Sequence, residues 1–372
     1  MTRSRSVVVL GGYGNFGARI CRALALDTNL PLVVAARHLA KAQALAASLG
    51  THVSAASVGT SDPDLVRRLT ELDAGVVIHT AGPFQSQDWR VPLAAAEAGA
   101  HYIDLADGRR WVCDFPRALN DVFGKRQLLG VTGASTVPAL SSAVVDSLQP
   151  RFLQVHAIEL CIAPAQQAPR GTATLAAVLS YCGEPIRIWR DGAWTQERGW
   201  SGPRWVQFAR MKPRRGALCD IPDLELFTQL YVGVQTVMFR AALEVGFTQW
   251  MFAMLAKLRG WHLVPNLRSF AGFMHRVAPV FDRFGTPLGG MVVRLSGKDA
   301  SGVAACVSWH VTADDFHGPE IPCMAAVILA RRLVRGDIPA IGAHACMGLV
   351  SLPEFAPEFA RWGMVTDLVT EY

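Results

Sequence analysis

The segment Val7–Ile20, VVVLGGYGNFGARI, constrains this chain more than any other. A β-branched apolar run meets glycines at 12, 14 and 17, and residues with helical spacing follow at once. In that setting each glycine of G-x-G-x-x-G has a reason: the first permits a tight turn, the second lets backbone approach a pyrophosphate, and the third lets helix and strand pack closely. Amides at the helix start then face an anion along a favourable dipole. Gly12-Tyr13-Gly14-Asn15-Phe16-Gly17 is therefore expected to bind a dinucleotide. A purely structural turn is the other reading.

The alternation continues well past the turn. PLVVAAR reads as a second strand, LAKAQALAASLG as a helix ending on Gly50, and HVSAASV as another strand. Helices follow over Asp62–Leu72, Asp88–Ala98 and, more weakly, Cys113–Phe123. Between them lie the strand Val76–His79, then HYIDLA, and finally QLLGVTG. Apolar strands separated by helices are what a parallel sheet covered on both faces requires. The fold class is α/β, with a Rossmann-type doubly wound parallel sheet over residues 1–135.

Beyond this point the texture changes to an α+β substrate and dimerisation domain, expected over residues 136–317. Asp191-Gly192 and Ser201-Gly202-Pro203 punctuate short runs rich in Trp, Ile and Val, the signature of antiparallel hairpins. A long apolar helical region is predicted over Leu224–Leu258, followed by two paired strands, GGMVVRLSGKD and VAACVSWHVTA. The tail, residues 318–372, carries a helix over Cys323–Arg335 that is expected to pack back on the first domain. Two domains suit 372 residues, at roughly 100–200 residues per domain.

Composition excludes several classes of function. With 51% apolar and 18% charged residues the chain can bury a large core. No apolar run reaches the roughly 18–20 residues that span a bilayer, so no integral membrane segment and a cytoplasmic location are expected. The eight cysteines are scattered without C-x-x-C, and there is no H-E-x-x-H, so reduced thiols and no metal site are expected. Arg187 to Arg215 holds eight basic residues against Asp191 and Glu197. That run is either a solvated basic face or a surface that attracts carboxylates or phosphates. It has no nucleic-acid motif, and no nucleic-acid partner is expected.

Which dinucleotide binds is decided at the second strand. An NAD site places Asp or Glu roughly 20 residues past the glycines; here the strand ends on Arg37, with His38 beside it and Lys41 a turn later. A guanidinium pairs with a 2′-phosphate, so NADP(H) is the expected cofactor, an arginine merely exposed at a strand end being the alternative. In such sheets ligands lie beyond the carboxyl ends of the strands. Ala81, Gly82, Pro83 and Phe84 occupy that edge after the fourth strand, and Asp104 after the fifth, as a proton carrier or as a helix cap.

These segments, GGYGNFG, AAR, AGPF and GAHYIDLADG, together with GASTVPALSS, RGTATL and GPEIPC, resemble the saccharopine dehydrogenase-like oxidoreductases. The resemblance covers nearly the whole chain and is strongest over 7–145 and 317–350. It implies an NADP-binding Rossmann domain, an inserted substrate domain and often a homodimer. It implies Gly12, Gly14 and Gly17 at the pyrophosphate, Arg37 at the 2′-phosphate, and Gly82 to Phe84 at the nicotinamide half. One loop departs from the family: G-x-D-P-G is here Gly133-Ala134-Ser135-Thr136-Val137-Pro138, which argues against saccharopine itself as the substrate.

Members of such a family reduce imines or, as trans-acting enoyl reductases, C=C bonds on acyl chains. Imine reduction calls for a carboxylate near an iminium, for which Asp104 and Glu320 are candidates. Enoyl reduction calls for donors to an enolate, for which Tyr102, Thr172 and Thr174 are candidates, the threonines equally suiting a helix start. His317, before GPEIP, is a further substrate-binding candidate. The helix Val245–Leu258 reads as core or dimer contact, or else as the wall of an acyl site or a membrane-surface contact. The expected activity is NADPH-dependent hydride transfer to or from a C=N bond in the interdomain cleft. An enoyl reductase, or a non-catalytic NADP-binding regulator, is the alternative.

Overall fold

In the computed structural model the described residues are 5–169, 172–261, 263, 264, 267 and 271–371. The chain opens with β1 (Ser6–Leu10), α1 (Asn15–Leu24), β2 (Leu32–Ala36), α2 (Leu39–Leu49) and β3 (Val53–Ser57). It continues with α3 (Leu65–Glu71), β4 (Ala74–His79), α4 (Arg90–Glu97), β5 (His101–Asp104), α5 (Arg109–Gly124) and β6 (Leu129–Thr132). Every residue of β1 and β2 is buried, as befits strands covered on both faces. α5 starts four residues before its expected position. Its apolar stripe, Trp111, Val112, Phe115, Leu119 and Phe123, begins inside a basic first turn and spans Pro116, which hides it from a composition reading.

The second part of the chain holds α6 (Ser141–Leu148), β7 (Phe152–Ala163), α7 (Thr172–Tyr181), β8 (Pro185–Arg190) and β9 (Ala193–Arg198). Then come β10 (Arg204–Val206), β11 (Arg214–Leu218), α8 (Asp223–Leu230) and β12 (Thr236–Ala242). α9 (Gly246–Gly260), α10 (Ala271–Asp282), β13 (Gly289–Asp299) and β14 (Ala304–Ala313) complete it. The helical region expected over Leu224–Leu258 is broken by β12. Val237, Met238 and Phe239 are buried there, and the strand runs parallel to β7 from Thr236 opposite Ala157. A short apolar run has no period that separates strand from helix, and pairing with β7 decides it.

Finally α11 (Ile321–Val334), β15 (Gly342–Ala345), α12 (Leu352–Arg361) and β16 (Val365–Glu371) close the chain. Two compact units result: residues 1–140 with 320–350, and residues 141–319 with 351–372. The tail expected as one returning segment is thus divided between them. In the first unit seven parallel strands lie in the order β15-β6-β5-β4-β1-β2-β3. α11 is buried almost all round and packs on α1, where Arg331 Nη2 donates to Ala23 O at 2.9 Å. Arg19 of α1 is also ion-paired with Glu320, at the head of α11.

The second unit is a mixed sheet with the path β10-β11-β12-β7-β13-β14-β16, joined by the β8–β9 hairpin through β12. β13 and β14 pair antiparallel over ten positions, and β16 extends that face beside β14. Cys161, Ala163, Phe208, Met211, Ala242 and Val292 form a buried cluster around these strands. No described helix is long and apolar enough to cross a membrane.

Candidate functional site

Strand order in the first unit reverses between β1 and β4, which lie side by side while β1 continues through α1 to β2. The crevice at such a switch point, beyond the carboxyl ends of the strands, is where a doubly wound sheet takes its ligand. Gly11 and Gly12 donate their amides to Ala35 O at 2.9 and 3.1 Å, and Thr80 donates both its amide and its hydroxyl to Leu10 O. These bonds clamp the glycine turn between the ends of β2 and β4. Thr80 carried no signal in the sequence beyond its place after a strand.

Close packing explains the third glycine. A Cβ on Gly17 would collide with Gly11 O and would lie 2.8 Å from Thr80 Oγ1 and 2.9 Å from Gly12 Cα. At Gly14 an added Cβ would meet a single atom among the described residues, Gly11 O at 3.0 Å, a tighter fit than an ordinary contact but far less crowded than at Gly17. Gly14 is the N-cap residue with extended backbone, no side chain caps the helix, and no acidic residue stands in its first turn. First-turn amides lack acceptors within their own helix. A pyrophosphate therefore fits here by space, by donors and by sign.

Beyond β2, Arg37, His38 and Lys41 are all exposed, and Lys41 Nζ stands 5.7 Å above the Tyr13 ring. No acidic residue occupies the end of β2, so the local field favours an anion. Arg37 packs beside Gly59, where a Cβ would come within 3.0 Å of Arg37 Cγ. After β4, Ala81 and Pro83 are half-buried and Gly82 is exposed. Gln87 Nε2 donates to Ala81 O at 2.7 Å and to Pro83 O at 3.1 Å, holding this loop in shape. Phe84 is buried and packs its ring against His79 and Trp111, with centroids 4.8 and 5.5 Å away.

Asp104 is wholly buried and surrounded by donors. Its Oδ1 accepts from Ala106 N at 3.0 Å, Thr132 Oγ1 at 2.8 Å and Gly133 N at 2.9 Å; Oδ2 accepts from Tyr102 OH at 3.1 Å and Trp111 Nε1 at 2.9 Å. Burial raises its carboxyl pKa above the usual range, against the pull of those donors. Tyr102 is equally buried, lies 2.9 Å from His79 Nδ1, and has its phenol pushed well up by burial and by Asp104. Burial also pushes the His79 imidazole down to about 3, so it stays neutral at pH 7.

The direct roles expected for Asp104 and Tyr102 therefore meet a physical obstacle, because neither has surface to offer a substrate. Glu320, also buried, is engaged by Arg19. His317 belongs to the other unit, where Nδ1 lies 3.1 Å from Trp362 O and the two rings are 5.0 Å apart. Thr172 and Thr174 fall in α7, but their side chains lie outside the described residues. Trp111 and Thr132, which complete the Asp104 network, were not signalled in the sequence.

Comparison with known proteins agrees with this geometry. The family described as the saccharopine dehydrogenase NADP binding domain matches residues 7–128, from β1 to the threshold of β6. The first unit thus carries a saccharopine dehydrogenase-like NADP-binding domain, and the cofactor is NADP(H). No curated protein sequence matches. Among solved structures, saccharopine dehydrogenase (L-Glu forming) from Saccharomyces cerevisiae shares the fold, with a TM-score of 0.72 at 14% identity over 99% of this chain and 100% of that one. An engineered D-amino acid dehydrogenase bound to NADP+ has a TM-score of 0.49 at 14% identity, over 96% of this chain and 99% of that one. DAP dehydrogenase from C. glutamicum in complex with DAP has 0.48 at 14% identity, over 97% and 99%.

Proposed function

We propose that the protein is an NADPH-dependent oxidoreductase that transfers a hydride to a C=N bond, giving a secondary amine, or runs that step in reverse. The observation that carries this reading is the join of an uncapped, acid-free helix start at Gly14 with exposed Arg37 at the end of β2. Gly12 to Gly17 hold the pyrophosphate, Arg37 with His38 the 2′-phosphate, and Ala81 to Phe84 the nicotinamide half. When bound, the nicotinamide supplies or accepts a hydride at C4.

The chain's own part is to hold that ring at the β4 edge and to keep its surroundings rigid. Asp104 and Tyr102 act as positioning residues that fix the loops after β5 and β6. Glu320 fixes the start of α11 against α1. Imine chemistry is favoured over C=C reduction by the shared fold with an L-Glu-forming saccharopine dehydrogenase. A cytoplasmic homodimer completes the reading. None of the eight cysteines is held in a disulfide, which suits a reducing compartment.

The test gives purified protein and NADPH two panels, mixtures of amino acids with aldehydes or 2-oxo acids, and enoyl thioesters. NADPH consumption with imine-forming mixtures is the expected result. Consumption with enoyl thioesters alone transfers the reading to C=C reduction. Silence on both panels, with NADPH bound tightly, makes the protein a regulator.

A further inference from the structure

Within the second unit lies a cavity of about 560 Å³ that the dinucleotide reading does not use. It falls in the size range of small-molecule sites. Its walls come from the turn after β9, from β10 and β11, and from α9. Trp200, Trp250 and Ala253 supply apolar wall, and Trp205 stands at the same cavity. Trp200 is buried and stacks on Phe252 at 4.7 Å, while Trp250 and Trp205 are 57% and 67% exposed. Two half-open indoles beside a buried one suit an apolar or aromatic body that is bound from solvent.

Polar groups around the cavity are unfinished in one direction. Among the described residues six buried side-chain polar atoms have no hydrogen-bond partner, and three belong to its lining: Trp200 Nε1, Ser201 Oγ and Gln249 Nε2. All three can donate. Native proteins leave few such groups.

Charge points the same way. Four lining cations, Arg198, Arg214, Arg215 and Lys257, face one lining carboxylate, Glu244. Arg214 is matched by Glu244 at 3.5 Å and by the carbonyls of Pro164 and Leu288, and Glu244 is further used by Thr286. Arg198 gives one N–H to Gly183 O. Arg215 and Lys257 are exposed and make no ion pair with a described residue. The basic run Arg187–Arg215 seen in the sequence thus contributes to a concave site.

We propose that this cavity binds an amphiphilic organic anion, an apolar body ending in one carboxylate or phosphate group, with the body against Trp200 and Trp250 and the head near Arg215 and Lys257. Every lining residue belongs to the second unit and none to the dinucleotide turn, and the proposal does not rest on the proposed activity.

Isothermal titration of the full-length protein with dodecanoate, dodecyl phosphate and dodecanol tests it, the two anions separating the sources of the charge. At least one anion is expected to bind with a Kd on the order of 10 μM, and dodecanol at least about tenfold more weakly. Arg215→Glu with Lys257→Glu should weaken the anion by about tenfold or more and leave dodecanol unchanged, and Trp250→Ala should weaken both. These positions are exposed, and an unchanged melting temperature and NADPH affinity certify the fold; Arg215→Gln serves if the double variant melts early. No heat from either anion, equal affinity for dodecanol, or indifference to charge reversal overturns the proposal.

Discussion

Trp111 Nε1 donates to Asp104 Oδ2 at 2.9 Å, so the first turn of α5 is bonded to the last residue of β5 inside the sheet's carboxyl edge. With Tyr102, Thr132, Ala106 and Gly133 also donating, the carboxylate is a node joining two loops and two strands. Asp104→Ala would strand all those donors at once, and a loss of about 3–5 kcal/mol of stability is expected. Trp111→Phe should cost about 1–2 kcal/mol. Urea unfolding measures both. If Asp104→Asn kept full stability while turnover vanished, the carboxylate would be the proton donor and the positioning role would fail.

Two glycines of the opening turn should separate in their effects. At Gly17 an added methyl has no room, and Gly17→Ala should destabilise the first unit by about 1–3 kcal/mol as well as weaken NADPH. At Gly14 an added methyl meets only Gly11 O, at 3.0 Å, so Gly14→Ala should weaken NADPH by about tenfold or more with a smaller change in stability than Gly17→Ala. Paired calorimetric titration and thermal melts check this. Equal destabilisation by both would show the turn to be structural only.

Arg37 is expected to discriminate between coenzymes. Arg37→Ala removes a charged hydrogen-bond donor worth about 1.5–3 kcal/mol, so NADPH affinity should fall by about ten- to a hundredfold. NADH affinity should stay within about threefold. A parallel fall for both coenzymes would remove Arg37 from the 2′-phosphate.

Asp223 predicts a pH effect of definite sign. It is fully buried in the second unit, its Oδ1 accepts from Ser141 Oγ at 2.5 Å, and Oδ2 has no partner among the described residues. Burial holds its carboxyl up at about 7. An unfolded chain releases this proton near pH 4, so the folded state binds the extra proton between there and about 7, and stability falls as pH rises through that window. Asp223→Asn removes the penalty. The variant should gain on the order of 3 kcal/mol over the parent at pH 8 and little at pH 4. Denaturant melts at both values decide it, and an equal difference at both would show the carboxyl to be ionised in the fold.

The parallel sheet was legible because its strands are short apolar runs punctuated by glycine, and each helix repeats with its own period. The switch-point turn and Arg37 were legible for a related reason, since backbone approach to phosphate needs particular residues at particular spacings. What escaped was decided by contacts distant in sequence. β12 looked helical until β7 lay beside it, and Asp104 looked accessible until Trp111 and Thr132 closed around it. The cavity beside α9 was half visible, as a basic run and as an apolar helix, but neither indicates that Arg215 and Trp250 share one hollow.

Because α11 and β15 belong to the first unit although they are encoded after residue 320, that unit cannot be finished as it leaves the ribosome. Nascent residues 1–140 emerge with α1 uncovered and β6 as an unpaired sheet edge, and they must wait for some 200 further residues to be synthesised, on the order of tens of seconds in a slow translator. During that interval the coenzyme grip at Gly14 sits on an incomplete scaffold.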